Sequence, residues 1–361
     1  MADQKFQGFD SLVLPILLAP MASGATTPPL VSAISDAGGL GSLGCAMHAP
    51  DAMDRDVGEI RRLTKRTFGV NLFVLEEPEA PDSDVVAAAW KILQPIRAKF
   101  GLAVDAAPPT KFGESFAAQF ERLVALQPPV ASFTFGILSQ SQIDALHATG
   151  CFVIGTVTSV AEALAWEALG ADAICAQGSE AGGHRGTFLH DWTTMMTGTM
   201  ALIPQIVDAV RLPVIAAGGI TDGRGVAAAL ALGATAAQLG TAFLRSTECG
   251  ASRTWKDALG RAGDGDTRVS RVFSGRHMRG LDSELRRVLE PFADTLPGFP
   301  VQLALTAEVR AAAAKAGNAE YISAGAGQAV ALAREEPAAA IMSRLAAELA
   351  AAGKRANRIR T

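Results

Sequence analysis

Eight short apolar runs, each followed by a turn and an Ala-rich stretch of helical length, pace most of this chain and leave it few architectures. The runs cover residues 15–19, 40–43, 68–74, 130–135, 152–157, 173–176, 214–217 and 236–239. They are continuously apolar rather than alternating, as expected of strands buried on both faces of a parallel sheet. Helices are expected between them at 28–36, 52–65, 85–99 (kinked at Pro95), 113–126, 140–148, 160–169, 199–210 and 223–232. Leu169-Gly170 and Leu232-Gly233 close two of these with a glycine at the position that caps helices in the left-handed conformation. Eight β/α alternations predict an α/β fold of the (β/α)8 TIM barrel type. An open doubly wound sheet would carry G-x-G-x-x-G after its first strand, where this chain has Pro20-Met21-Ala22-Ser23-Gly24 instead.

The rhythm changes after Ala242-Phe243-Leu244. Residues 1–245 are expected to form the barrel, and 246–318 a smaller, mainly helical second domain. Helical patterns there fall at 251–259, 283–289 and 303–315, with a short strand at 268–273. Residues 319–361 are expected to return to the barrel through Tyr321-Ile-Ser-Ala-Gly-Ala-Gly-Gln328. Closing helices follow at 329–334 and 337–349, and a frayed, basic end from 351. At 361 residues the chain has the length of a barrel with insertions.

Charge and cysteine usage exclude several classes. A net charge of −4 gives no footprint for nucleic acid. The basic cluster from Arg276 to Arg287 is interrupted by Asp282 and Glu284, and reads as a solvated or anion-contacting loop. The four cysteines lie far apart, with no C-x-x-C and no histidine at metal-ligand spacing, so neither a disulfide framework nor a metal site is expected. No apolar run is long enough to cross a bilayer, and a cytoplasmic location is expected. The Ala-rich outer helices would suit a homodimer without requiring one.

Chemistry is expected at the carboxyl ends of the strands. The run Gln177-Gly-Ser-Glu-Ala-Gly-Gly-His184-Arg-Gly186 follows the strand Ala173-Ile-Cys-Ala176 with four glycines and one histidine. Glycine lets backbone approach a ligand closely, and histidine titrates near neutral pH. A Gly-rich surface turn with an incidental histidine would read the same way, but two more strand ends are built alike. Gly218-Gly219 ends the seventh strand and Gln238-Leu239-Gly240-Thr241 the eighth. Exposed amides at Gly219, Gly240 and Thr241, with the Thr241 hydroxyl, could hold a phosphate without a cation. Asn71, an amide inside an apolar strand, needs a partner, and with Gln177 and the Met21 amide it could meet the edge of a flat heteroaromatic ring.

These motifs carry a resemblance. Leu18-Ala-Pro-Met-Ala22, Gly69-Val-Asn-Leu72, the 177–186 run, Ala216-Ala-Gly-Gly-Ile220, Gln238-Leu-Gly-Thr241 and Gly325-Ala-Gly-Gln328 look like nitronate monooxygenase, formerly 2-nitropropane dioxygenase, of the larger bacterial and fungal class. The resemblance spans residues 10–345 with the motifs in order. It implies FMN in the barrel, a helical cap over the flavin, and oxidation of alkyl nitronates with O2 to carbonyl compounds and nitrite. It places His184 as the catalytic histidine and Met21, Asn71, Gln177, Gly182, Gly218, Gly219, Gln238, Leu239, Gly240 and Thr241 at the flavin. It also implies that His184 orients and stabilises an anionic nitronate, or takes the α-proton of a neutral nitroalkane.

The chain departs from its relatives in having a single tyrosine, Tyr321. Phe133, Phe135, Phe188 and Phe273 are candidates for the apolar wall of the substrate pocket, with Tyr321 supplying a phenol. Fewer hydroxyls favour a small alkyl nitronate over propionate 3-nitronate. Arg185, Arg276 and Arg279 could attract an anion, or be ordinary surface arginines. Three competing readings remain: a flavin-dependent enoyl-acyl-carrier-protein reductase using NADH or NADPH, a non-catalytic FMN-binding module, and a phosphosugar-processing barrel without flavin.

Overall fold

The computed structural model describes residues 6–75 and 81–357. Eight of its strands form one parallel sheet: β1 (Ile16–Leu18), β2 (Gly41–Gly44), β3 (Phe68–Phe73), β4 (Val130–Thr134), β5 (Phe152–Val157), β6 (Ala173–Gln177) and, after a short β7 (Gly183–His184) outside it, β8 (Val214–Ala217) and β9 (Ala236–Leu239). Their order is β1-β9-β8-β6-β5-β4-β3-β2. A bridge between Leu17 and Leu40 brings β1 back beside β2, which closes the barrel. All eight expected strands are present, each within two residues of its expected ends.

Helices α1 (Pro28–Asp36), α2 (Pro50–Leu63), α3 (Ser83–Lys99), α4 (Phe116–Leu126), α5 (Gln140–Thr149), α6 (Val160–Leu169), α7 (Thr199–Ala209) and α8 (Gly223–Ala231) fall between the strands. Their starts follow from local chemistry. Thr27 accepts from the amide of Leu30 ahead of the prolines that open α1, and Ser139 and Gln142 form a reciprocal capping box on α5.

The apolar strands conceal a period of two. Leu17, Val130, Ile154, Ala173, Ile215 and Ala236 point inward and fill the lower barrel. Phe6, Phe9 and Phe152 plug its floor edge to face, with centroids 5.0–5.7 Å apart. Higher up, the inward positions become polar or small: Asn71 beside Ser132, Thr156 beside Cys175, and Gln177, Ala217 and Gln238 in one row. Outward residues such as Val70, Leu72, Ala131, Phe133 and Ile174 pack under the helices. There Phe133 stacks on Trp166 at 6.3 Å, and a side chain on Gly155 would come within 2.3 Å of the indole. Apolar floor and polar mouth together place the chemistry at the carboxyl ends of the strands.

The second unit contains α9 (Arg253–Arg261), β10 (Thr267–Ser270), β11 (Met278–Leu281), α10 (Glu284–Leu289), α11 (Val301–Leu305) and α12 (Ala307–Lys315). The single strand expected at 268–273 proves to be one of three. β10, β11 and β7 form an antiparallel sheet, so the Gly-Gly-His run itself supplies a strand to the cap. α3, expected among the barrel helices, instead gives Val86, Trp90 and Leu93 to an apolar core shared with Leu285, Leu289, Leu305 and Val309. α4 takes its place against β3 and α2. The stretch expected as a helix at 329–334 is one 3-10 turn, Val330–Leu332. α13 (Ala338–Asn357) packs on α8 and α1 and stays helical through the region expected to fray. Among the described residues no helix is long and apolar enough to cross a membrane, and no cluster of His, Cys, Asp or Glu could hold a metal ion.

Candidate active site

A cavity opens at the barrel mouth. Ala19, Pro20 and Met21 line it after β1, Phe73 on β3, Ser132, Thr134 and Phe135 along β4, and Gln177 at the end of β6. Gly218 to Thr221 follow β8, and Gln238, Gly240 and Thr241 come from β9. The cap closes the other side with Trp255, Met278, Phe299, Leu303, Ser323 and Gly325.

His184 stands between the two halves. Its backbone pairs with Met278 on β11, and its carbonyl accepts from Gln177 Nε2 at 3.0 Å. Gln177 Oε1 in turn accepts from the Gly186 amide and from Arg185 Nη1, at 2.9 and 3.1 Å. The imidazole is enclosed nearly edge-on by Phe73, Phe135 and Phe299, with centroids at 6.1, 5.5 and 5.4 Å. Its Nε2 lies 2.9 Å from Ser274 Oγ. Burial, and then the positive charges of Arg276 and Arg310, push its pKa down to about 3. The ring is therefore uncharged at neutral pH.

The arginines that could attract an anion or lie at the surface are instead held by backbone carbonyls. Arg185, 2% exposed, donates to the carbonyls of Gln177, Gly178 and Met195. Arg276 lies 3.8 Å over the Phe135 ring and donates to the carbonyls of Arg185 and Thr187. Arg279 donates to the carbonyl of Ser179. The segment 276–279 is thus a partly buried clasp between cap and barrel rather than a solvated loop. Burial lowers the Arg185 and Arg276 guanidinium groups to about 10, so they keep their charge at neutral pH. Fully buried Glu162 sits nearby and accepts from the amides of Phe188 and Leu189.

The opposite end of the cavity presents backbone. Gly218 and Gly219 have φ of 109° and 71°, values that L side chains rarely adopt. Among the described residues, the amides of Gly219, Gly240 and Thr241 reach no backbone oxygen. The adjacent helix N-termini are already taken: the Glu180 carboxylate accepts from the Thr199 amide at α7, and Asp222 caps α8. An anion arriving here would meet loop amides rather than a helix end. The Thr241 hydroxyl accepts from the Gly327 amide at 2.9 Å and so ties the C-terminal Gly-rich segment to the end of β9.

Met21, Gln177, Gly182 and Gln238 line the cavity, whereas Asn71 and Leu239 do not. Asn71 faces the barrel interior below the cavity, and its amide donates to the Ser132 carbonyl and hydroxyl at 3.0 Å. Gln177 lines the cavity, but its amide is spent on the His184 loop. Gly182 is required by its neighbours, because a Cβ there would lie 2.5 Å from the backbone of Ala326 and Gly327. The Leu239 side chain is wholly buried against the helices, leaving only its backbone near the mouth. Among the described residues the Gln238 amide oxygen has no partner, and its Nε2 reaches Cys175 Sγ at 3.3 Å. Met21 lines the cavity beside Gly240.

The expected pocket wall needs correction. Phe133 faces outward, since the alternation of β4 turns Ser132 and Thr134 inward. Phe188 packs with the outer layer and Phe273 with the cap core. Tyr321 also belongs to the cap core, where its hydroxyl donates to Glu284 and accepts from Lys99 Nζ. Phe135 alone of these lines the cavity, joined by Phe73 and Phe299. Phe73 could have been found from its inward register two residues beyond Asn71; nothing in the sequence points to Phe299 or Ser274.

Comparison with known proteins agrees with this geometry. The sequence profile of the family described as nitronate monooxygenase matches residues 9–348. A probable nitronate monooxygenase of Staphylococcus aureus is 42% identical over 337 residues, covering 93% of this chain and 94% of the relative. The nitroalkane oxidase of Streptomyces ansochromogenes superposes with a TM-score of 0.89 at 39% identity, over 96% of this chain and 98% of the other. FabK from Thermotoga maritima superposes with a TM-score of 0.74 at 29% identity, over 96% of both chains.

Proposed function

The chain belongs to the nitronate monooxygenase family, and from that premise we propose that this oxidoreductase uses FMN and O2 to convert alkyl nitronates to carbonyl compounds and nitrite. One observation carries the reading: the same cavity has, on one side, loop amides with no hydrogen-bond partner among the described residues and, on the other, an uncharged imidazole enclosed by three phenylalanines.

The residues present fit the cofactor. The amides of Gly219, Gly240 and Thr241 would take the phosphate, and among the described residues no Lys or Arg lines the cavity. The Met21 amide and the Gln238 side chain would meet the ring. Asn71 and Gln177 support this mouth from beneath and beside it through their internal hydrogen bonds. Bound FMN would supply the electron transfer between nitronate and O2.

The rest of the mechanism belongs to the chain. Phe73, Phe135 and Phe299 exclude water and suit a small alkyl group, which favours alkyl nitronates over carboxylated ones. A preformed nitronate needs no proton removed, so His184 bounds its site without titrating. A neutral nitroalkane must first lose its α-proton, and the unprotonated nitrogen of His184 is the acceptor at hand. The charges of Arg276 and Arg310, which disfavour an imidazolium, also favour a bound anion.

Oxygen uptake and nitrite release by the FMN-loaded protein, across ethyl, propyl and carboxylated nitronates, test the reading. Nitrite should appear with oxygen consumption, fastest for the small alkyl nitronates. Absence of nitrite with every nitronate would overturn it. Hydride transfer from a nicotinamide cofactor is the competing reading, and rapid anaerobic flavin reduction by NADH or NADPH would favour it.

A further inference from the structure

We propose that Ser274 is a positioning residue that holds His184 in the tautomer protonated on Nε2, so that Nδ1 presents its lone pair to the cavity as the acceptor for a substrate α-proton. The inference rests on the proposed nitronate chemistry for its kinetic consequence, but its structural content stands apart from that reading.

A serine hydroxyl has one proton and two lone pairs. Ser274 is completely buried, and three groups surround its Oγ. It donates to the Arg276 carbonyl at 3.1 Å and accepts from the Arg276 amide at 3.4 Å. The third neighbour is His184 Nε2 at 2.9 Å. Among the described residues no other group donates to the Arg276 carbonyl, so directing the one hydroxyl proton there satisfies that oxygen and leaves Oγ to accept from Nε2–H. A neutral imidazole protonated on Nε2 has its lone pair on Nδ1. Among the described residues nothing hydrogen bonds to Nδ1, and it is not among the sealed, unpartnered polar atoms of the interior. His184 lines the cavity, so that is where Nδ1 finds its exposure.

The turn Ser274-Gly275-Arg276 is itself fixed. The amides of Ser274 and Gly275 both donate to the Arg271 carbonyl, and the Arg276 guanidinium grips the loop that follows His184. The hydroxyl is thus pre-aimed by backbone before substrate arrives. In the step it prepares, the α-carbon loses a proton to Nδ1. The C–H electron pair becomes the C=N bond of the nitronate, and the negative charge moves to the nitro oxygens. Nothing is oxidised or reduced in this step, and its products are a nitronate anion and an imidazolium.

Two measurements test this. The first is long-range 1H–15N NMR of the FMN-loaded protein labelled at histidine, with the His184 resonances assigned by their loss in His184→Asn. An Nε2-protonated ring supports the proposal, and an Nδ1-protonated ring overturns it without recourse to a variant. The second compares neutral nitroethane with preformed ethyl nitronate in Ser274→Ala and Ser274→Thr. Ser274→Ala should lower kcat/KM for nitroethane about tenfold or more and change that for the nitronate less than about twofold, with Ser274→Thr restoring most of the loss. Equal losses on both substrates, or an Ala variant with unchanged tautomer and unchanged ratio, would overturn it. If no nitronate is oxidised at all, the proposed function falls, while the NMR result still decides the role of Ser274.

Discussion

Gln177 Nε2 donates to the carbonyl oxygen of His184 at 3.0 Å, so the last residue of a barrel strand holds the backbone of the residue whose ring faces the cavity. The amide oxygen of the same side chain accepts from Gly186 and Arg185. Replacing Gln177 by Leu would leave a carbonyl and an amide unpaired at the mouth. The expected cost is about 2 kcal/mol of stability, read from urea unfolding, together with at least a tenfold fall in nitroethane turnover as the imidazole loses its register, while ethyl nitronate turnover falls several-fold at most.

Gly219 has a φ of 71°, and a Cβ there would lie 3.0 Å from the Glu180 Cβ. Gly219→Ala should strain the loop by about 1–3 kcal/mol and displace one of the amides assigned to phosphate. FMN affinity, measured by fluorescence titration, is expected to fall by about tenfold or more, roughly 1.4 kcal/mol. Far-UV circular dichroism should be unchanged. Undiminished FMN affinity would remove Gly219 from the phosphate site.

His184→Asn separates the two substrate forms. Nitroethane turnover should drop by about a hundredfold or more, as for a lost general base, while ethyl nitronate turnover falls several-fold at most. Equal losses on both substrates would exclude proton abstraction as the role of the imidazole.

The same residue sets a pH dependence of stability. Its folded pKa is lowered from 6.5 to about 3, so between those values the unfolded chain binds more protons than the folded one. The contribution of His184 to stability is complete above about pH 6.5 and declines as the pH falls toward 3. Urea midpoints recorded from pH 7 to pH 4 should therefore fall less steeply for His184→Asn than for the natural chain. Parallel slopes would show that the imidazole is not held neutral by its surroundings.

The barrel was legible because burial on both faces writes eight unbroken apolar runs. That same continuity hid which residues point inward. Phe133 and Thr134 differ by one position, and only the register of β4 decides that threonine faces the cavity and phenylalanine the helices. The cap was harder to read. Its sheet joins Gly183-His184 to residues nearly a hundred positions later, and no local pattern records such a pairing. α3 has the apolar stripe of any surface helix, and only the folded cap shows what that stripe covers. Arg276 and Arg279 looked solvated because the sequence contains no trace of the carbonyls that surround them. The Gly-rich strand ends were legible because close backbone approach excludes every other residue type.

Anaerobic mixing of the FMN-loaded protein with ethyl nitronate, followed at the visible absorbance of the oxidised flavin, tests the central claim most directly. The account predicts rapid bleaching by the nitronate and little or none on the same timescale by NADH or NADPH. Bleaching by the nicotinamide alone, with the nitronate inert, would contradict it.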